Sequence, residues 1–518
     1  MIYKNIVNIQ LIIIMFCLCS CAESLKKEKP KDNSISNTEK LNVLLIIADD
    51  LNCDLGVYGN KIVKTPNINR LAERGILFQN AHAQYPWCGP SRASFMTGMY
   101  TNQTKITRNN MNLRSSVPDV ITLGQRFRQQ GYQSVRIGKI FHYDNPSAIG
   151  TSGNDDIYSW DQTVNPYGKD KIEEYKINTL SERKFGGTLS WLAADGKDDE
   201  QTDGIAASEA IKKLDYFAKT DVPFFLAVGF FRPHTPFVAP KKYFDFYQQE
   251  KIEIPKISSH YLAGLPEPAI KSIRAQKNQL DLEKKLAQEI KEAYYATISF
   301  VDAQVGRILD HLEISGLDKN TIVVFMSDHG YHLGEHGHWQ KQTLFDNATR
   351  IPLIISSPSL ENRGRASMSP VELIDVYPTL MSLTNINTPK HVVGKSLEPI
   401  MNNENSLVRG SALTRWRNGY SIKTKRYRLT KWGTNGELGY ELYDHKNDKD
   451  ELINLARNPD YNQLMDSLKL VIENRIVEAS VKPENLGRQF ENVKPMNKAK
   501  NITFGDIYDE EGNLLYLK

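Results

Sequence analysis

Four short apolar runs constrain the fold of this chain more than any other feature. They span residues 42–48, 134–137, 223–229 and 321–326. Nearly continuous apolar runs of this length are typical of strands buried on both faces. They alternate with segments that have helical caps or helical spacing, at residues 65–75, 121–131, 202–218 and 280–315. The alternation predicts an α/β fold with a large, mostly parallel sheet covered by helices on both faces.

Polar, titratable residues follow each of the four runs. In chain order these are Asp49 and Asp50, then Lys139 and His142, then His234, and finally Asp328 and His329. In open α/β sheets, ligands bind at the carboxyl ends of the strands. We therefore expect these side chains to form one site at that edge of the sheet.

A cysteine precedes what we expect to be a buried helix. In the stretch WCGPSRASFMTG, residues 87–98, Pro90 suits the first helical position and Gly98 suits the end. Cys88 then lies just before a helix N-terminus, which favours an anion. Arg92 is one helical turn further on and faces the same way. Taken alone, these residues also fit an ordinary buried thiol at a helix start.

The charges around this stretch indicate a metal and an oxyanion. Three carboxylates at neighbouring strand ends, Asp49, Asp50 and Asp328, would repel one another without a divalent cation, and oxygen ligands suit Ca²⁺ or Mg²⁺. His329 would add one nitrogen ligand. The cationic groups expected nearby are Arg92, Lys139, His142, His234 and Lys341. Such a pocket suits a tetrahedral oxyanion, sulfate or phosphate.

These motifs resemble those of a known enzyme family. CGPSR at residues 88–92 matches the Cys-x-Pro-Ser-Arg core of the type I sulfatases, and Thr97-Gly98 completes the longer signature. The remaining similar motifs, in the family's order, are Asp49-Asp50, Gly138-Lys139, Pro233-His234, Ser327-Asp328-His329-Gly330 and, after Gly334-Glu335-His336-Gly337, Lys341. The chain most resembles the iduronate-2-sulfatase branch. The resemblance implies an alkaline phosphatase-like fold.

The resemblance also implies a cofactor made from the chain itself. A maturation enzyme would oxidise Cys88 to formylglycine, whose hydrate carries two hydroxyls on one carbon. One attacks sulfur to give a covalent sulfated intermediate, and the other then loses a proton, so that the aldehyde re-forms and sulfate leaves. One calcium ion would be held by Asp49, Asp50, Asp328 and His329, together with the group derived from Cys88.

The resemblance assigns roles to the remaining site residues. Arg92 would hold the hydrate, supported by Lys139 and His142. His234 would protonate the leaving sugar oxygen, and Lys341 would clamp the sulfate. Tyr331 is expected to line the sugar site. Arg415 could meet a uronate carboxylate, although such residues more often lie on a solvated strand face.

The expected activity is hydrolysis of a sulfate ester on a carbohydrate, a 2-O-sulfated uronic acid in an anionic polysaccharide or its oligosaccharides. A phosphonate monoester or phosphodiester hydrolase of the same superfamily is the alternative, and an inactive surface glycan-binding lipoprotein is a remote one. The net charge of +4 over 518 residues gives no sign of nucleic-acid binding.

The N-terminus indicates export. Lys4 and the apolar residues 6–18 form a signal pattern, and Leu18-Cys19-Ser20-Cys21 resembles a bacterial lipoprotein signal that ends at a lipidated Cys21. A signal peptide that is simply cleaved is the alternative. We expect a signal at residues 1–21 and a tether at 22–40. The lipid alone would anchor the protein to the outer membrane, on its periplasmic or cell-surface side.

Two domains are expected after the tether. Residues 41–388 would form the catalytic domain, within which residues 144–200 look like a long surface insertion. Residues 389–518 would form a smaller α+β domain, because polar-apolar alternation between residues 408 and 444 predicts an antiparallel sheet. Beyond the signal, only Cys53 and Cys88 remain of five cysteines. A bridge between them would consume the proposed site.

Overall fold

The computed structural model describes residues 40–181, 185–247, 251–258, 260–491 and 493–496. The predicted signal, its lipidated Cys21 and nearly all of the predicted tether lie outside these ranges. From Leu41 onward the described residues form one compact unit. The domain boundary between residues 388 and 389 stays a prediction. Among the described helices, none is both long enough and apolar enough to cross a membrane.

The described strands and helices are numbered in chain order. The strands are β1 (Asn42–Asp49), β2 (Ile76–His82), β3 (Gln133–Gly138), β4 (Gln162–Val164), β5 (Asn178–Thr179), β6 (Ser190–Ala194), β7 (Phe224–Pro233), β8 (Phe237–Pro240), β9 (Thr321–Ser327), β10 (His332–Leu333), β11 (Trp339–Gln340), β12 (Arg350–Ser356), β13 (Arg365–Ser367), β14 (Val371–Glu372), β15 (Ala412–Trp416), β16 (Gly419–Lys423), β17 (Tyr427–Trp432) and β18 (Gly439–Asp444). The helices are α1 (Pro66–Arg74), α2 (Cys88–Thr97), α3 (Thr101–Thr104), α4 (Leu113–Ser116), α5 (Leu123–Gln129), α6 (Lys169–Ile172), α7 (Thr202–Thr220), α8 (Lys241–Phe244), α9 (Glu267–Ile273), α10 (Lys284–Ile314), α11 (Asp346–Thr349), α12 (Val376–Leu383), α13 (Glu398–Asn402) and α14 (Asn462–Ser480).

Within the described residues, one nine-stranded sheet dominates the molecule. Its order is β13-β2-β12-β9-β1-β7-β3-β4, and β14 also pairs with β2. Only β12 runs antiparallel to its neighbours in the described sheet. The prediction of a large, mostly parallel sheet is therefore confirmed. The sequence analysis missed β2 and β12, which widen the sheet on one side.

The sheet is buried on both faces, which explains its continuous apolar runs. Val43, Leu45 and Ile47 of β1 enter one hydrophobic core, whereas Leu44 and Ile46 enter the core on the opposite face. The apolar stripe of α10 packs into the second of these cores, as its helical spacing predicts. Since both faces of β1 are covered, polar residues appear only where the strand ends.

The four strands that carry the predicted site residues are neighbours. They stand in the order β9-β1-β7-β3 and pair in parallel, so their carboxyl ends meet at one edge. The pairing between β1 and β7 shifts register between Ala48 and Asp49, where Asp49 pairs with Pro233. The sheet alone therefore gathers the polar residues that the sequence separates by almost 300 positions.

One predicted segment differs in detail from the structure, and another agrees with it. The predicted surface insertion at 144–200 contains β4, which joins the edge of the large sheet beside β3, and β6, which pairs with β8. The expected antiparallel sheet near the C-terminus is present as β15-β16-β17-β18.

Candidate active site

Cys88 is the first residue of α2, and the whole helix is buried. The prediction that Pro90 takes the first helical position is wrong by two residues, because the first helical hydrogen bond already joins the N–H of Ser91 to the carbonyl of Trp87 at 3.1 Å. Gly98 ends the helix with φ at 68°, as predicted for a glycine stop. Cys88 therefore lies within the first turn, where backbone N–H groups lack helical partners.

Arg92 ties three strand ends together. Its Nη2 donates to Asp49 Oδ1 and its Nε donates to Asp328 Oδ2, each at 2.9 Å. Its Nη1 donates to the carbonyls of Lys139 and Ile140 at 2.8 Å. The guanidinium is fully buried and neutralises two carboxylates. Arg92 is thus placed to hold the site together, and its predicted contact with the hydrate stays a prediction.

Asp49 is a buried carboxylate with two cationic partners. Lys139 Nζ donates to its Oδ2, opposite the oxygen bound by Arg92. Burial disfavours the ionised form, but Lys139 and Arg92 outweigh it and hold the pKa of Asp49 well below its usual value. Asp49 is therefore ionised at neutral pH.

Asp50 leaves the strand in an unusual backbone conformation. Its φ is +64°, a region that Asp tolerates better than most residues. The turn aims the carboxylate at Lys341, whose Nζ lies 2.5 and 2.6 Å from the two oxygens. Burial raises the pKa of Asp50 although Lys341 opposes that shift.

The Cys88 thiol lies among charged groups. Its Sγ is 3.2 Å from His329 Nε2, 3.5 Å from Lys341 Nζ and 3.7 Å from Asp50 Oδ1. Burial raises the pKa of the Cys88 thiol well above its usual value, Lys341 opposes the shift, and the surrounding carboxylates add to it. The encoded cysteine is thus a neutral thiol at neutral pH and a weak nucleophile.

Two histidines, His234 and His329, face the Asp50 carboxylate with their Nε2 atoms. His329 Nδ1 lies 2.9 Å from the carbonyl of Gly330, which can only accept, so Nδ1 carries the proton. His329 Nε2 lies 3.3 Å from Asp50 Oδ1 and 3.2 Å from Cys88 Sγ. His234 repeats this arrangement, with Nδ1 at the Thr235 carbonyl and Nε2 at 3.7 Å from Asp50 Oδ2. A cation placed between these nitrogens and the Asp50 carboxylate would be bound by both.

The donor atoms fall into two groups that share Cys88. The first group contains donor atoms of Asp49, Asp50, Cys88 and His234, and the second contains donor atoms of Cys88, Asp328 and His329. Within each group, all donor atoms lie within 4.8 Å of one another. Carboxylate oxygens with one imidazole suit a hard divalent cation. The predicted ligands thus fit a divalent metal. His234 was not predicted as a ligand, but its nitrogen belongs to the first donor group.

A cavity of about 410 Å³ opens onto this cluster and is lined by His142, His234 and Lys341. His142 Nε2 lies 3.2 Å from Asp144 Oδ1. Burial lowers the pKa of His142 to about 4, although Asp144 opposes the shift. His142 is therefore neutral at pH 7.

The cavity wall also contains residues that the sequence analysis missed. They are Trp87 and the carboxamides of Asn109, Asn145, Gln276, Gln340 and Gln342. Asn109 has a second contact, since its Oδ1 accepts from the N–H of Gly89 at 2.9 Å. Trp87 was identifiable from its place beside Cys88. Gln340 ends β11 and Gln342 follows it closely, but the other three carboxamides lie in separate segments, so no single local pattern links the set.

Comparison with known proteins gives the family. A family model described as sulfatase matches residues 41–386, and a second, described as N-sulphoglucosamine sulphohydrolase, C-terminal, matches residues 334–478. The chain belongs to the sulfatase family. It is a sulfuric ester hydrolase, as the resemblance predicted, and this family generally uses formylglycine and a divalent metal.

Relatives of this sulfatase cover most of its length. A sulfatase of Formosa agariphila is 33% identical over 480 residues, covering 89% of this chain and 91% of that protein. Iduronate 2-sulfatase of Homo sapiens is 32% identical over 480 residues, covering 77% and 86%. A solved phosphonate monoester hydrolase of Agrobacterium radiobacter has a TM-score of 0.71 at 22% identity, covering 85% and 96%. The last likeness shows the shared fold.

Two residues with weaker predicted roles in substrate binding lie outside the catalytic cavity of this sulfatase. Tyr331 does not line the cavity, because its ring is fully buried in the core and stacks on Tyr294 with centroids 5.4 Å apart. Arg415 is not in the catalytic cavity either. It lines a separate cavity beside Asn102, since the strand that carries it, β15, belongs to the small antiparallel sheet.

Proposed function

We propose that this sulfatase hydrolyses a sulfate ester on a carbohydrate, with formylglycine made from Cys88 and one calcium ion. The observation that carries the proposal is the position of Cys88. It opens a buried helix, its thiol is kept neutral, and two histidine nitrogens, the Lys341 ammonium group and three carboxylates surround it. A residue so placed and so unreactive as a thiol is better suited to act after oxidation.

The ion would be held by Asp49, Asp50, Asp328 and His329. When bound, it would polarise the sulfate oxygens and orient the hydrate, which itself supplies a hydroxyl for attack and another for release. Asp328 is prepared for this role, because its Oδ1 already accepts from the N–H groups of Asp50 and His329 at 3.1 Å. Those bonds fix the carboxylate before any ligand arrives.

The remaining side chains would bind sulfate and move the proton. Lys341 Nζ would turn from Asp50 toward a sulfate oxygen, while Lys139 and Arg92 keep Asp49 ionised. His234 donates Nδ1–H to Thr235, so its Nε2 is the ring atom that would take up a proton from solvent and, as the imidazolium, give that proton to the leaving sugar oxygen. His142 would accept a hydrogen bond in the cavity through Nδ1, which is buried and has no partner among the described residues.

The cavity supports a sugar as the leaving group. Carboxamides both donate and accept, which suits a ring rich in hydroxyls, and Trp87 offers an apolar face. The finer proposal, a 2-O-sulfated uronic acid in an anionic polysaccharide or its oligosaccharides, is supported by the 32% identity with human iduronate 2-sulfatase. We further propose export and lipidation at Cys21, with anchoring to the outer membrane.

The test compares three proteins on three substrates. Mass spectrometry of the Cys88 peptide should show formylglycine in protein co-expressed with a maturation enzyme. That protein should hydrolyse an aryl sulfate, while Cys88→Ala should lose all turnover. Cys53→Ala is the matched control, since it removes the other cysteine of the described region and should keep activity.

Rates on a phosphodiester and a phosphonate monoester decide between the sulfatase and the alternative hydrolase. Preference for either over the aryl sulfate contradicts the proposal, as does turnover by Cys88→Ala. A panel of 2-O-, 3-O-, 4-O- and 6-O-sulfated saccharides then identifies the position. A preference outside 2-O-sulfated uronates overturns the finer proposal alone.

A further inference from the structure

A second cavity, of about 620 Å³, lies beside the C-terminal sheet and carries an excess of positive charge. Its described lining includes four cations, Lys105, Arg108, Arg415 and Lys494, against one carboxylate, Glu491. The whole chain has a net charge of only +4, so this concentration is local. A concave basic surface attracts and holds anions.

One of these cations is held in a fixed orientation. Arg415 Nη1 donates to Asn102 Oδ1 at 2.9 Å, and its Nε donates to the Arg417 carbonyl at 3.1 Å. The guanidinium also lies over the Tyr420 ring, 5.6 Å from its centroid. Asn102 is itself fixed, because its Nδ2 donates to Ser480 Oγ at 2.8 Å. A guanidinium held in this way loses little entropy when it binds an anion.

Of the other three cations, only Lys105 has a carboxylate partner among the described residues. Lys105 lies 3.2 Å from Glu491, but that carboxylate is 71% exposed and the pair is screened by solvent. Within the described part of the chain, the side chains of Arg108 and Lys494 have no carboxylate partner, and both line the cavity. Within the described residues, the positive charge of this cavity is therefore only partly neutralised.

The basic cavity adjoins the catalytic one through a shared loop. Arg108 lines the basic cavity, and the next residue, Asn109, lines the catalytic cavity. Asn109 also caps the start of α2 through the N–H of Gly89. A polymer whose sulfate ester reaches Cys88 can therefore pass over this loop and place a neighbouring unit at Arg108.

We propose that the basic cavity binds a second anionic group, a sulfate or a carboxylate, on the same oligosaccharide whose sulfate ester is hydrolysed at Cys88. The proposal rests on the proposed function and deepens it: the enzyme would prefer substrates with at least two anionic groups. The proposal also gives Arg415 a role outside the catalytic cavity. Arg415 would contact a sugar unit other than the one whose sulfate ester is hydrolysed.

The kinetic test separates long from small substrates. In the double variant Arg108→Gln with Lys494→Gln, KM for a heparin hexasaccharide, or for whichever sulfated oligosaccharide the wild type turns over, should rise about 5-fold with kcat unchanged, because two exposed charge contacts are lost. Added salt should raise the wild-type KM more than that of the variant. KM for an aryl sulfate should not change, since it is too small to reach the basic cavity.

Matched variants complete the kinetic test. Exchanging the cations, Arg108→Lys with Lys494→Arg, should restore the wild-type KM. Lys449→Gln removes an exposed lysine that lines neither cavity, and it should change nothing. An unchanged oligosaccharide KM in the double variant overturns the proposal, and so does an equal loss on the aryl sulfate.

A binding measurement makes this proposal independent of turnover. Calorimetry would compare a heparin hexasaccharide binding to Cys88→Ala and to Cys88→Ala with the two cavity substitutions. Weaker binding by the second protein, with unchanged urea unfolding, supports the basic cavity even if the wild type hydrolyses no sulfate ester. Equal binding overturns it, whereas failure of the proposed function shows instead as absent turnover of every sulfate ester.

Discussion

Lys341 Nζ lies 2.5 and 2.6 Å from the two carboxylate oxygens of Asp50 and 3.5 Å from Cys88 Sγ. One ammonium group thus contacts both Asp50, a predicted metal ligand, and Cys88, the predicted nucleophile. Burial raises the pKa of Asp50, and Lys341 is the strongest influence opposing that shift. The lysine therefore helps to keep Asp50 ionised until a divalent cation and a sulfate are present.

Lys341→Met should lower kcat/KM on an aryl sulfate by about 100-fold or more, because a positive charge beside the reacting sulfate is lost. Steady-state kinetics on calcium-loaded protein measures the effect. Lys431→Met is the matched control: it removes another buried ammonium, one paired with Glu473, from the C-terminal sheet. Similar kcat/KM values for the two variants would contradict the role of Lys341.

Arg92→Gln should destabilise the fold by about 3–5 kcal/mol, because two buried carboxylates lose their shared partner. Urea unfolding at pH 7 measures the change. Arg128→Gln breaks a partly exposed pair with Asp161 and an exposed hydrogen bond to the Tyr158 carbonyl, and it should cost about 1 kcal/mol or less. If both variants unfold at the wild-type midpoint, Arg92 does not hold the strand ends together.

Glu441 should make stability depend on pH. Burial raises the pKa of Glu441 from 4.5 to about 7, although Trp432 and Tyr443 donate to it at 2.7 and 2.8 Å. The folded state then binds more protons than the unfolded state between these values. The stability contributed by this group is full below pH 4.5 and is lost as pH rises through about 7, by about 3 kcal/mol.

Glu441→Gln does not titrate, and its amide can still accept from Trp432 through the oxygen while its NH2 group donates to the Tyr443 hydroxyl. The unfolding free energies of wild type and variant are measured in urea from pH 4.5 to 8. As pH rises, the wild type should lose stability relative to the variant. A constant difference for Glu441→Gln would show that its carboxyl titrates normally.

Removal of divalent cations should abolish turnover, and Ca²⁺ should restore it. Bound cation should also raise the unfolding free energy, by about 2.7 kcal/mol at a concentration 100 times its Kd. Asp328→Asn should remove most of this stabilisation, which thermal unfolding with and without Ca²⁺ would detect. Equal stabilisation of wild type and variant would place the ion elsewhere, and stronger effects of Mg²⁺ would overturn calcium as the ion.

The sequence was sufficient for the central sheet and for most of the site. Strands buried on both faces are continuously apolar, so the first polar residue after each run marks an edge where a ligand can bind. That reasoning places Asp49, Asp50, Asp328 and His329 correctly at one edge. It missed β2 and β12, which lack strong boundaries in the sequence, and it shifted the start of α2 by two residues.

Local patterns failed where a role depends on distant partners. Tyr331 follows the Asp-His-Gly run and was expected in the sugar site, but its ring turns into the core against Tyr294. Apart from Gln340 and Gln342, the cavity carboxamides come from segments far apart in the chain, so no single segment groups the set.

The sequence by itself determined which chemical groups this sulfatase brings to the carboxyl edge of its sheet, because strand burial and strand order leave few other places for them. The tertiary structure alone decided how those groups share charge. Only in the fold does Arg92 bridge Asp49 and Asp328 and Lys341 reach Asp50. Only there does Arg415 lie in a basic cavity next to the catalytic one, since electrostatic contacts depend on distances that no linear spacing encodes.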